Sequence, residues 1–211
     1  LITPWNFPLA IPAWKMAPAL AYGNTVVLKP AELTPASAHA LVEIVIGCGV
    51  PEGVVNLVMG EGRTVGDALL HAQDVAGISF TGSVGTGRIA AVACAERGAR
   101  IQAEMGGKNG IVVLEDANYD AALTAAVNGA FFATGQRCTA SSRIIVQDSL
   151  HDRFVEDLKA RMLALKIGPA LDAASQIGPI VDERQMAQNL RYLDIGRSEG
   201  ATVTGGGVLE R

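Results

Sequence analysis

Histidine, cysteine and aromatic residues are all scarce in this chain. His39, His71 and His151 are the three histidines, Cys48, Cys94 and Cys138 the three cysteines, and aromatics make up 5% of 211 residues. An odd, widely spaced cysteine set argues against a disulfide framework or a zinc knuckle and for a reducing, cytoplasmic setting. No metal site is expected. Charge of one sign is also sparse: 17 basic and 21 acidic residues leave a net charge of −4, and neither sign forms a long run. Nucleic acid and anionic membranes are therefore not expected partners. The most apolar stretch, 41-LVEIVIGCGV-50, is too short to span a bilayer and contains Glu43.

What the chain has in quantity is apolar residues, 49%, enough core for one large domain or parts of two. Three prolines in 4-PWNFPLAIPAW-14 mark a constrained loop leading into a short helix. Short apolar strands are expected at 24–30, 53–60, 75–82 and 99–105, alternating with helices at 34–49, 62–72 and 84–97. Thr34 offers N-cap chemistry, Pro35 suits the first helical position, and Gly49 stops the helix. The pattern restarts after 104-EMGGKNG-110 with strand 111–114, helix 119–134, strand 143–147 and helix 149–166. One more helix is expected at 183–199, before a turn-rich end. Short strands apolar on both faces, with helices between them, predict an α/β fold with parallel sheets. The glycine-rich 106–110 segment predicts a boundary between units 1–106 and 107–211.

Four stretches could carry chemistry. In 80-FTGSVGTGR-88 a strand runs into glycines, a hydroxyl and a helix start, a place for an anion. Gly85, Gly87 and Ala90 match G-x-G-x-x-A but lie a turn inside the helix, so the literal match is set aside. In 28-LKPAE-32, Lys29 and Glu32 follow a strand; an acid there could meet ribose hydroxyls, although two solvated loop charges are the simpler reading. Glu104 ends an apolar strand, where partial desolvation could make it a base, although an exposed loop glutamate is the common reading. Cys138 sits in a polar turn, whereas Cys48 and Cys94 fall within helix patterns and read as small core residues. None of the three histidines has the loop context of a cysteine–histidine dyad.

Taken together, 4-PWNFP-8, 29-KPAE-32, 80-FTGSVGTG-87, 104-EMGGK-108 and 135-GQRC-138 resemble the aldehyde dehydrogenase superfamily, in its order and approximate spacing. The resemblance implies a Rossmann-like cofactor-binding unit followed by the first part of an α/β catalytic unit. It implies NAD(P)-dependent oxidation of an aldehyde to a carboxylate through a cysteine thiohemiacetal and thioester. Cys138 would be the nucleophile, Asn6 an oxyanion donor with the Cys138 backbone N–H, and Glu104 the base that activates water. Thr3, Pro4, Trp5, Lys29, Glu32, Gly62, Phe80, Gly82, Ser83 and Gly106 would contact or line the cofactor cleft. Phe7, Trp14 and Phe132 resemble walls of the aldehyde tunnel. Glu32 favours NAD over NADP, because it would repel a 2′-phosphate. The 131-FFATGQRCTASSR-143 stretch resembles the subgroup acting on 2-oxoglutarate semialdehyde (2,5-dioxopentanoate), with succinate-semialdehyde or broad-specificity enzymes as the near alternative. An acidic aldehyde needs a cation, and Arg137 is either that contact or a structural arginine. The full-length protein would be a homodimer or homotetramer.

Two rival classes differ in what they require: a silent structural relative should have lost the nucleophile or base, and a cysteine hydrolase should show a histidine near Cys138. The chain begins 1-LITPWNFP and ends 205-GGGVLER in mid-pattern, with no recognisable signal peptide. It reads as part of a longer protein, missing the start of the cofactor domain, a later acid that meets the nicotinamide ribose, and the oligomerisation strand. The 211-residue chain alone is therefore expected to be inactive. Measurable NAD-dependent aldehyde turnover by the purified chain would contradict this.

Overall fold

The computed structural model of the chain describes residues 1–208. The end of the expected turn-rich tail, 209–211, lies outside the described residues. The chain forms two compact units, Leu1–Gly106 and Gly107 onward. All strand pairs are parallel, which is the α/β architecture expected from the alternation of short strands and helices.

In the first unit the helices are α1 (Ala10–Ala21), α2 (Pro35–Gly47), α3 (Asp67–His71) and α4 (Val84–Glu96). The strands are β1 (Val26–Leu28), β2 (Val55–Leu57), β3 (Gly77–Gly82) and β4 (Arg100–Met105). Residues 1–3 join the two strand pairs. Lys29 N–H donates to Leu1 O (2.8 Å) and Thr3 N–H to Lys29 O (3.1 Å) on one side. On the other, Ile2 N–H donates to Ser79 O (3.0 Å) and Thr81 N–H to Ile2 O (2.9 Å). The opening segment is thus a strand between β1 and β3, and the sheet runs β2, β1, opening segment, β3, β4. In chain order this is third, second, first, fourth, fifth: five strands of the doubly wound order 3-2-1-4-5-6. The first strand lies at the head of the chain, outside the strands expected from 24 onward, because three residues are too few to show a period.

Two apolar clusters hold this unit. Met16, Val26, Leu28, Ala38, Val42 and Val55 pack under β1 and β2, and Leu70, Ile78, Phe80, Ala90, Ala93 and Cys94 pack under β3 and β4. Each fully buried large side chain is worth about 1.5–3 kcal/mol. Cys94 is a core residue as expected. Cys48 is not: it sits exposed at the C-cap of α2, beyond the helix face that turns inward. Thr34 occupies the N-cap position of α2 but makes no capping bond, and its hydroxyl is buried without a partner among the described residues. Residues 62–66 form a π turn before the short α3, replacing the single helix expected at 62–72.

The second unit holds β5 (Asn109–Val113), α5 (Tyr119–Phe131), β6 (Ser141–Val146), α6 (Asp148–Leu163) and α7 (Glu183–Ser198). Val113, Leu123, Ala126 and Phe154 form its core, with Tyr119 edge-on to Phe154 at 5.9 Å. α5 stops at Phe131, three residues short of the expected 134, and a 3-10 turn (Phe132–Gly135) follows. The physical reason is Arg137, whose guanidinium donates to Asn128 O (2.5 Å) and Gly129 O (3.0 Å). Those carbonyls would otherwise receive the N–H groups of residues 132 and 133.

Gly129 lets α5 approach β6. A Cβ there would lie 3.0 Å from the Ser141 Cβ. Alanine is about 1 kcal/mol better than glycine inside a helix, but overpacking costs about 1–3 kcal/mol, so the clash wins. Gly129→Ala should lower stability, by up to about 2 kcal/mol, in urea titration of the full-length protein. A more stable variant would contradict this packing.

Candidate active site

The doubly wound order puts the carboxyl ends of the opening strand, β1 and β3 on one edge of the first unit. Ligands bind such folds at that edge, where the strand order reverses. The segments leaving it are Thr3–Asn6, Lys29–Glu32 and Gly82–Ser83.

Thr3 is buried, its N–H held by Lys29 O, and its hydroxyl has no partner among the described residues. Pro4, Trp5, Asn6 and Phe7 follow as half-buried residues in a bend before α1. Asn6 has a polar partner. Trp14 stands on α1 with its side chain 68% exposed. Lys29 is 3% exposed, so the solvated-loop reading is wrong for it. Its ammonium donates to Pro30 O (2.9 Å) and Glu32 Oε2 (3.2 Å), while Glu32 itself stays exposed. A buried cation thereby aims a surface carboxylate. Ser83 caps α4: its Oγ accepts from Thr86 N–H (3.2 Å), and the first N–H groups of the helix face outward, suited to phosphate. Gly82 has no room for a side chain, since a Cβ would lie 2.7 Å from the Phe80 ring. Gly87 and Ala90 are buried in helix–sheet packing, in keeping with setting aside the G-x-G-x-x-A match. Gly62 is exposed at the start of the π turn, and Gly106 is exposed at the end of the unit. Phe80 was expected to line the cleft. It is 2% exposed and sits in the core, because strand alternation turns Ile78 and Phe80 inward together.

Glu104 lies exposed on β4, so the expected desolvation is not present. It accepts from Gln102 Nε2 (3.0 Å). Gln102 Oε1 in turn accepts from Ser79 Oγ (2.6 Å) and Lys15 Nζ (3.0 Å), and Lys15 also donates to Ser79 Oγ (2.8 Å) and Phe80 O (3.2 Å). Half-burial depresses the Lys15 pKa, and the charge of Glu104 opposes that shift. The sequence reading missed this network. Its signal was the two-residue period of 100-RIQAEM-105, which puts Gln102 and Glu104 on one face.

In the second unit Cys138 is exposed in a turn closed by Ala140 N–H to Arg137 O (3.2 Å). The two residues after Phe132 are left-handed: Ala133 at φ 51° and Thr134 at φ 54°, followed by Gly135 at φ 67°. Such backbone costs about 1–2 kcal/mol per non-glycine residue and persists only when its surroundings impose it. Gln136 imposes part of it, donating to Thr134 Oγ1 and accepting from Val181 N–H (3.0 Å). Arg137 donates from Nη2 to the carbonyls at the end of α5, and its Nε is buried without a partner among the described residues. Phe132 lines a 270 Å³ cavity with Val127, Leu165 and Arg161. His151 pairs with Asp152, and His71 with the Asp67 carbonyl. Among the described residues no three metal-ligating side chains converge, and no helix is long and apolar enough to cross a membrane.

The Glu32 pKa is lowered, first by a bond from its own backbone N–H and then by Lys29. A lowered carboxylate pKa contributes stability above its unfolded value, about 4.3, and that contribution is lost as pH falls through the folded value. Glu32→Gln should therefore flatten the acid side of the stability profile, read as denaturation midpoints below about pH 5. An unchanged acid limb would contradict the Lys29–Glu32 coupling.

Comparison with known proteins places this geometry. The family model described as "Aldehyde dehydrogenase family" matches residues 1–211. The chain is 46% identical over 207 residues to an alpha-ketoglutaric semialdehyde dehydrogenase of Bacillus subtilis, covering 98% of this chain and 42% of that protein. It is 46% identical over 211 residues to a 2,5-dioxopentanoate dehydrogenase of Saccharolobus solfataricus, covering 99% and 44%. A crystal structure of betaine aldehyde dehydrogenase from Staphylococcus aureus in complex with NAD+ superimposes with a TM-score of 0.97 at 39% identity, covering 100% of this chain and 42% of that one. The chain thus spans less than half the length of the relatives it matches. With a family model matching from end to end, the chain belongs to the aldehyde dehydrogenase family.

Proposed function

We propose that the full-length protein oxidises a small acidic semialdehyde to the carboxylate with NAD as acceptor. The observation that carries this reading is an exposed thiol, Cys138, in a turn held rigid by side chains, in a chain that belongs to the aldehyde dehydrogenase family. The first unit is the cofactor-binding part and the second the start of the catalytic part. Three dehydrogenases of 2-oxoglutarate semialdehyde, under its several names, match at 46% identity over nearly the whole chain, which supports that substrate class. Arg137, one of whose terminal nitrogens is held by the end of α5, is the cation nearest in sequence to Cys138 that could meet the carboxylate of the substrate. The protein is assigned to the cytoplasm and to a homodimer or homotetramer on family resemblance.

The Cys138 thiolate attacks the aldehyde carbon and gives a thiohemiacetal alkoxide. On the family resemblance, the amide of Asn6 would donate to that oxyanion; one such donor is worth about 3 kcal/mol in the transition state. Bound NAD supplies the hydride acceptor. Loss of hydride from the alkoxide leaves a thioester on Cys138. Glu104 takes a proton from water, which attacks the acyl carbon and releases the acid and the thiolate. Ser83 and the first turn of α4 would hold the pyrophosphate of NAD, while Glu32, aimed by Lys29, would accept from the ribose hydroxyls and disfavour a 2′-phosphate.

Cys138→Ala should abolish NADH formation in the full-length enzyme. Glu104→Gln should keep a burst of NADH and lose steady turnover by a factor on the order of 10²–10⁴. Stopped-flow absorbance reads both, and wild-type steady turnover by Glu104→Gln would refute its role as base.

A further inference from the structure

We propose that Asn109 is a positioning residue for the nucleophile, its carboxamide clamping the two carbonyls that bracket the exposed side of the Cys138 turn. Asn109 Nδ2 donates to Cys138 O (2.8 Å) and to Ala140 O (3.3 Å). A carboxamide nitrogen carries two N–H donors, so one side chain serves both acceptors. Holding these two carbonyls fixes the peptide planes that follow Cys138 and Ala140. That sets the direction of the Cα–Cβ bond from which the Cys138 sulfur hangs.

The local backbone is built to deliver this clamp. Asn109 pairs with Ser141, but the next residue, Gly110, pairs with Arg143. The extra residue, Ser142, is a bulge in β6, a device that re-aims side chains. It falls at the first residue of β5, where the Asn109 side chain turns toward the Cys138 turn. Gly107 lies against the same group, and a Cβ there would sit 3.6 Å from Asn109 Oδ1 and 3.8 Å from Cys138 O. The other supports of the turn act on its entry: Arg137 on α5, and Gln136 on Thr134 and Val181. Asn109 alone among these holds the carbonyl of Cys138 itself. Since Ala133 and Thr134 are already in left-handed backbone, the turn needs outside contacts to keep one conformation.

The proposal rests on Cys138 being the nucleophile, and the test separates the two. In full-length enzyme with NAD and 2-oxoglutarate semialdehyde, Asn109→Ala should lower the burst rate constant about ten- to a hundredfold, with melting temperature and NAD affinity unchanged. Asn109→Asp keeps the size but replaces the donor by an acceptor facing two carbonyl oxygens, so it should lose more than alanine. Asn109→Ser, with one hydroxyl donor, should recover part of the rate. If Asn109→Ala fails to fold, the isosteric Asn109→Asp carries the test. Wild-type burst rates in the alanine and aspartate variants would overturn the clamp. So would rate losses that only follow a falling melting temperature. A burst that survives Cys138→Ser would instead overturn the nucleophile reading on which the clamp depends.

Discussion

The first unit depends on a three-residue strand. Leu1–Thr3 is hydrogen-bonded to β1 on one side and β3 on the other, and it alone joins two strand pairs into one parallel sheet. Because it is first in the chain and central in the sheet, the chain winds away from it in both directions. The carboxyl edge at that reversal receives Asn6, Glu32 and Ser83 from three separate strands. Each of these residues is then set by its own local contact: a polar partner for Asn6, the buried Lys29 for Glu32, and the cap of α4 for Ser83.

The second unit solves a different problem, the presentation of one thiol without a histidine to activate it. The solution is geometric. The backbone before Cys138 is held in left-handed conformation, and Gln136, Arg137 and Asn109 fasten the turn at its entry and exit. Under the proposed function, covalent capture makes this worthwhile, since hydride leaves more readily from a tetrahedral alkoxide than from a free aldehyde. A nucleophile fixed in direction keeps the tetrahedral carbon in one orientation for that transfer.

The alternation of apolar runs and helix periods made the parallel α/β architecture legible, and the motif residues at strand ends marked the edge where chemistry is expected. Three kinds of feature were not legible. The opening strand is too short for a period. Side chains that work through other side chains carry no motif: Lys15, Gln102 and Asn109 look like ordinary polar residues until the fold brings them to Glu104 and Cys138. Burial was misjudged where two rules competed. Phe80 follows strand alternation into the core, Lys29 is drawn in by the Pro30 carbonyl and Glu32, and Cys48 falls just past the end of its helix. Arg137 shows the limit most clearly, because its bonds to the carbonyls of Asn128 and Gly129 are made only in the fold.

The central claim is a thioester on Cys138. Full-length protein carrying Glu104→Gln, mixed with NAD and 2-oxoglutarate semialdehyde and quenched in acid, tests it by peptide mass spectrometry. The account predicts the acyl mass on the peptide containing Cys138, dependent on NAD and absent from the peptides of Cys48 and Cys94. An acyl group on another cysteine, or NADH formed with no acylated cysteine at all, would contradict it.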